Sequence, residues 1–215
     1  MSENRLSAFP RMIHTLLERI HSDGCSTSIR GTKMKILEKT LFAGFGGQGI
    51  LAIGKIFADA CAERDLNVSW LPSYGPEMRG GTCMCMVAVS DERVLSPYFV
   101  RPGSAVIMNQ ASLEKYLPVL DTAKALVINT SLAHLTPEME EKLKNVQIIR
   151  ADATNIALEL NAVKCANMVM LGAYARHSSA LTLEQLKDSV TRKFASKPQM
   201  AEINQKALDQ GYAII

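Results

Sequence analysis

No apolar run in this 215-residue chain is long enough to cross a bilayer. The longest, Cys83 to Val89 and Met168 to Ala175, fall far short of the roughly 20 residues a membrane helix needs. The first residues lack the apolar stretch of a secretory leader. Cysteine is scarce and oddly numbered: Cys25, Cys61, Cys83, Cys85 and Cys165 include no C-x-x-C pair, which argues against a four-cysteine cluster or a disulfide scaffold. The thiols are therefore expected to be reduced, in a cytoplasmic protein. Charge of one sign is missing from the body of the chain. The net charge of +3 sits in residues 1–35, where Arg5, Arg11, Arg19, Arg30, Lys33 and Lys35 outnumber Glu3, Glu18 and Asp23, and the remainder is balanced. A groove for a phosphate backbone needs clustered cations, so nucleic acid is not an expected partner. His14, His21, His134 and His177 fall in no triad order, and no G-x-S-x-G elbow surrounds Ser96, Ser112, Ser131 or Ser178. No catalytic residue is expected.

What remains is an ordinary globular composition, 47% hydrophobic and 21% charged, at a length suited to one domain with an appendage. Residues 1–33 read as a loosely ordered extension and residues 34–215 as the domain. From Ile36 onward, short β-rich runs alternate with segments of helical spacing. Strands are expected at Lys39 to Ala43, Asn67 to Leu71, Thr82 to Ser90, Ala105 to Asn109, Ala125 to Asn129 and Val146 to Arg150. Helices are expected at Gly49 to Glu63, Pro137 to Leu143, Thr154 to Leu160, Ala166 to Arg176, Leu183 to Phe194 and Met200 to Gln210. Two helix starts have a mechanism. Thr136 precedes a proline at the first helical position, and Thr182 with Gln185 has capping-box spacing. The expected fold is a single three-layer α/β domain, a Rossmann-like sheet with covering helices and a C-terminal helical segment.

The sharpest local motif is Gly44-Phe45-Gly46-Gly47-Gln48-Gly49, after an apolar strand and before a helix. Glycines there allow a tight bend, and the unpartnered amides of a helix's first turn make an anion site. Gly44, Gly46, Gly47, Gln48 and Gly49 are therefore the candidate cofactor-binding residues. Gly44, Gly46 and Gly49 also match the dinucleotide pattern G-x-G-x-x-G, which keeps a stand-alone nucleotide-binding Rossmann-type protein as the alternative. That pattern expects a carboxylate at the tip of the second strand, where this chain has Pro72-Ser73-Tyr74. In Cys83-Met84-Cys85, strand periodicity puts both thiols on one face and Met84 with Met86 on the other; a buried apolar strand explains this better than metal ligation, and no metal site is assigned.

The second motif runs from Pro72 to Gly81. Prolines and glycines stiffen and turn a loop that carries Ser73, Tyr74, Glu77, Arg79, Gly80 and Gly81, the candidate interface or ligand residues. Glu77 and Arg79 fit a solvated ion pair as well as an interface or an anionic ligand. Because loops beyond parallel strand ends gather at one edge, Gly46, Gly47, Gln48 and Gly49 are expected to face one cleft with Tyr74, Glu77 and Arg79.

These two motifs, followed by Val89-Ser90-Asp91, Ser96-Pro97, Met108-Asn109 with Ser112-Leu113, Asn167 with Leu171-Gly172-Ala173, and Glu202, Asn204, Ala207-Leu208 and Gly211-Tyr212, resemble the gamma subunit of 2-oxoacid:ferredoxin oxidoreductases over about Met34 to Tyr212. The resemblance implies a non-catalytic subunit of a complex that oxidatively decarboxylates a 2-oxoacid with coenzyme A to acyl-CoA and CO₂, with ferredoxin as acceptor. Alpha, beta and delta-type subunits are the implied partners. Thiamine diphosphate, Mg²⁺ and the iron–sulfur clusters are implied to lie on those partners, with no cofactor bound by this chain alone. A place for this chain on the coenzyme A path is also implied. The wording from Ser73 to Gly81 is closer to members serving 2-oxoglutarate, then 2-oxoisovalerate, than to those serving pyruvate.

Overall fold

The computed structural model describes residues 36–75 and 81–214; the expected extension and the tip of the proline loop lie outside them. Strand β1 (Ile36–Phe45) is set by alternation: Phe42 packs on one face, Leu41 and Ala43 on the other. The glycine turn leads into helix α1 (Ile50–Ala62), whose Ile53, Ile56 and Phe57 return to the Phe42 face. Strands β2 (Asn67–Tyr74) and β3 (Thr82–Ser90) follow as an antiparallel pair. The chain then alternates through β4 (Ser104–Ile107), α2 (Gln110–Leu120), β5 (Ala125–Asn129), α3 (Pro137–Lys142), β6 (Gln147–Ala151) and α4 (Ala153–Glu159). Helices α5 (Ala166–Ala175), α6 (Leu183–Lys193) and α7 (Pro198–Tyr212) complete it.

The six strands form one mixed sheet in the order β2-β3-β1-β4-β5-β6. Crossover helices make β1, β4, β5 and β6 parallel, while β3 runs antiparallel to both β1 and β2. Helices α1, α4 and α5 cover one face, with α6 and α7 packed onto them; α2 and α3 cover the other. This is the expected three-layer α/β class. Strand β3 shows the expected alternation: Cys83, Cys85, Val87 and Val89 enter the first core, Met86 and Ala88 the second. Phe42, Phe57 and Tyr174 meet there with ring centroids 5.3–6.1 Å apart. The Tyr174 hydroxyl lies 2.6 Å from Thr40 Oγ1 and bonds the Glu38 carboxylate. Glu38 also accepts from Ser178 Oγ at 2.7 Å and the Ala180 amide at 3.1 Å, tying the start of β1 to the α5–α6 link.

Both reasoned caps form, Thr136 accepting from the Met139 amide and Thr182 pairing reciprocally with Gln185. Three expectations need correction. Strand β4 ends at Ile107 rather than Asn109, because Asn109 leaves the sheet to cap α2. Helix α2 itself was not expected from sequence, since Pro118 interrupts its pattern. Strand β2 extends through Pro72, Ser73 and Tyr74; as the sheet's edge it tolerates a residue with no amide to donate.

Candidate functional site

The ends of β1 and β2 and the beginning of β3 meet at one edge of the sheet, where Phe45 pairs with Thr82 and Tyr74 with Cys83. The turn between β1 and α1 is therefore held against the start of β3: the Gly46 amide donates to the Gly81 carbonyl at 2.9 Å. Within the turn, the Gln48 amide donates to the Phe45 carbonyl at 3.1 Å. Gly47 and Gly49 have φ of 96° and 76°, in the left-handed region that favours glycine. Their reasons differ. A Cβ on Gly47 would meet nothing within 4 Å, whereas one on Gly49 would lie 2.1 Å from Asn167 Nδ2, which donates to the Gly49 carbonyl at 3.3 Å.

A cleft of about 390 Å³ opens between this turn and the end of β2, lined by Gly46, Gly47, Gly49, Leu51, Tyr74 and Gly81 among others. Tyr74 is 67% exposed at its rim. At its base lies Cys83, whose thiol is pushed up by burial and partly drawn back by the Leu51 amide. Its sulfur forms part of the cleft's apolar wall. On the other side of the turn a second hollow of about 370 Å³ is bordered by Gly47, Gln48, Gly49, Lys164 and Asn167. Among the described residues, the Gly47 and Gly49 amides donate to no protein acceptor, so bare donors at the head of α1 separate the two hollows.

The structure thus brings together Gly46, Gly47, Gly49, Tyr74 and Gly81. It separates others. Gly44 lies under the turn, where a Cβ would come within 2.8 Å of Gln48 Oε1 and Ile50, so its role is packing. Gln48 turns its side chain inward: Oε1 accepts from the Phe45 amide at 2.7 Å and from Asn109 Nδ2 at 2.8 Å. Ser73 borders a different hollow, with Leu41, Met84 and Met86 on the opposite face of the sheet. Glu77, Arg79 and Gly80 lie outside the described residues. Lys164 and Asn167 are not site candidates from sequence; Asn167 belongs to a stretch that carries the family resemblance, but both reach the turn from a distant part of the chain, which no local pattern announces.

Among the described residues no three His, Cys, Asp or Glu side chains gather as metal ligands, and no helix is long and apolar enough to cross a membrane. The dinucleotide reading weakens for a topological reason: antiparallel β3 lies between β1 and β2, so the tip of β2 is not beside the glycine turn's own strand, and it carries Ser73 and Tyr74 instead of an acid.

The site is thus a glycine turn at the head of a helix, set over an apolar cleft on an α/β domain. Residues 39–214 match the family model described as pyruvate ferredoxin/flavodoxin oxidoreductase, and the chain belongs to that family. Ketoisovalerate oxidoreductase subunit VorA of Methanothermobacter marburgensis is 36% identical over 79% of this chain and 34% of the relative. The 2-oxoglutarate synthase subunit KorC of Methanocaldococcus jannaschii is 28% identical over 85% of this chain and 96% of its own length. The chain thus spans about a third of the ketoisovalerate relative and nearly all of the 2-oxoglutarate one. Among solved structures, the 2-oxoglutarate:ferredoxin oxidoreductase of Magnetococcus marinus, with 2-oxoglutarate, coenzyme A and succinyl-CoA bound, superposes with a TM-score of 0.75 at 26% identity, covering 83% of this chain and 31% of that one. The keto/oxoacid ferredoxin oxidoreductase gamma subunit of Geobacter sulfurreducens gives 0.66 at 26% identity, covering 81% and 96%.

Proposed function

We propose that the chain is the gamma subunit of a 2-oxoacid:ferredoxin oxidoreductase and that its glycine-turn cleft holds part of coenzyme A. The observation that carries this reading is the pairing of the Gly47 and Gly49 amides, which meet no acceptor among the described residues, with an apolar cleft edged by Tyr74. Coenzyme A needs both features. Its diphosphate seeks backbone donors at a helix head, with Lys164 as a cation on the far side of the turn, and its pantetheine arm seeks apolar walls such as Ile50, Leu51 and Tyr74. When bound, coenzyme A supplies the thiol that accepts the acyl group. This chain's residues bind and orient it. Decarboxylation and electron transfer belong to companion alpha, beta and delta-type chains carrying thiamine diphosphate, Mg²⁺ and iron–sulfur clusters, in the cytoplasm and with ferredoxin as acceptor.

The oxoacid we read as 2-oxoglutarate, supported by the fold likeness to the Magnetococcus enzyme and by KorC, which matches nearly end to end. The 36% identity to VorA favours 2-oxoisovalerate as the second reading.

Reconstitution tests the proposal. The isolated chain is expected to lack iron–sulfur absorption and to turn over no oxoacid, and activity should appear when companion chains are added. In that complex Gly47→Val should raise the KM for coenzyme A about tenfold while leaving the oxoacid KM in place, since loss of one or two amide bonds to a charged group has about that effect. Turnover by the isolated chain, or an unchanged coenzyme A KM, would refute it. A panel of 2-oxoglutarate, 2-oxoisovalerate and pyruvate decides the substrate.

A further inference from the structure

Three side-chain amides, from three separate parts of the chain, converge on the glycine turn. Gln48 Oε1 is a double acceptor, taking the Phe45 amide at 2.7 Å and Asn109 Nδ2 at 2.8 Å. Asn109 is oriented in turn, because its Oδ1 accepts the Ser112 amide at 2.9 Å as the cap of α2. That bond fixes which end of the Asn109 amide is nitrogen, and so forces a donor toward Gln48. At the other end of the turn Asn167 Nδ2 holds the Gly49 carbonyl at 3.3 Å, so close that no side chain fits on Gly49. With the Gly46 amide bonded to Gly81, the turn is pinned before, within and after its apex. The apex residue, Gly47, is exposed and has open space around its Cβ position.

We infer that Asn109 and Asn167 are positioning residues for ligand binding at the turn, acting through Gln48 and Gly49 without touching the ligand. This rests on the coenzyme A reading above and deepens it. A turn with two left-handed glycines has many conformations open to it, and ordering it at the moment of binding would subtract from affinity. The amide clamps remove that cost in advance, so that the Gly47 and Gly49 donors already face the ligand. They do so from α2 and α5, which makes the turn's shape a property of the folded domain rather than of its own six residues.

The two faces of the Asn109 amide allow a clean test in the reconstituted complex. Asn109→Asp keeps an oxygen for the Ser112 amide, so α2 stays capped, but sets a carboxylate oxygen against Gln48 Oε1 where a donor stood. Asn109→Ser likewise keeps an oxygen to cap α2 but brings neither donor nor charge to Gln48. The KM for coenzyme A is expected to rise about tenfold in both variants, with the oxoacid KM unchanged; losing one clamp bond and its orientation accounts for that size, and a rise in Asn109→Asp alone would trace to its added charge and overturn the clamp. Hydrogen exchange of the Phe45, Gly46 and Gln48 amides, the bonded donors of the turn, gives a readout free of activity: faster in both variants. Native exchange in a folded Asn109→Asp overturns the clamp. Faster exchange with an unchanged coenzyme A KM overturns its role in binding, and if Gly47→Val has by then raised that KM, the coenzyme A reading survives alone.

Discussion

Glycine carries different obligations at Gly47 and Gly49, and substitution separates them. Alanine at Gly47 meets no atom but must adopt a φ of 96°, a cost of roughly 1–2 kcal/mol. At Gly49 it meets both a φ of 76° and the Asn167 amide at 2.1 Å, so the Asn167–Gly49 bond breaks as well. Urea unfolding should therefore show Gly49→Ala destabilised by about 1–3 kcal/mol more than Gly47→Ala, the range for overpacking plus a lost buried hydrogen bond. Equal losses would mean that Asn167 does not press on the turn. Tyr174 offers a second test at this scale. Its hydroxyl bridges Thr40 and Glu38 inside the core, so Tyr174→Phe should cost about 1–3 kcal/mol, although the aromatic ring and its packing are kept.

Elements differ in how plainly their residues announced them. Strands β3 and β5 lie where periodicity puts them, at Thr82–Ser90 and Ala125–Asn129, because their alternating or wholly apolar runs end at turn residues. Helix α2 was hidden by Pro118, which removes one helical hydrogen bond. It forms all the same, because Asn109 caps it and Leu113 and Leu120 bury completely. Helices α5 and α7 cross through two glycines. A Cβ on Gly172 would lie 2.2 Å from the Leu208 carbonyl oxygen, and one on Gly211 would lie 1.9 Å from that of Val169. Backbone cannot yield as a side-chain end can. Gly211→Ala is expected to destabilise by at least about 3 kcal/mol, at or beyond the upper end for inserted methylenes, read as a drop in thermal midpoint. Retention of the native midpoint would show that the two helices can part without loss.

The whole molecule has a predictable alkaline limit. Burial pushes the Cys61 and Cys85 thiols to about 12 from 9.0, and it raises Tyr174, which also faces Glu38. Between pH 9 and 12 the unfolded chain loses thiol protons that the folded chain retains, so the unfolded state binds fewer protons and stability falls with rising pH. Each thiol contributes a slope of about 1.4 kcal/mol per pH unit, fully present once the unfolded thiols have ionised. Denaturant titrations of the native chain and of Cys61→Ala should differ in that slope above pH 9 and run parallel near neutrality; parallel curves throughout would mean that Cys61 is not buried in the folded state.

The sequence by itself determined the α/β class, the site of the glycine turn and the family, because these follow from local periodicity, from glycine's freedom at a bend and from motifs in order. Only the tertiary structure decided that β3 runs antiparallel between β1 and β2, that Gln48 faces inward and that Ser73 lies across the sheet from the cleft. The physical reason is distance along the chain. Gln48 is oriented by Asn109 and Gly49 by Asn167, and partners so far apart meet only once the sheet has assembled and its loops have come to one edge.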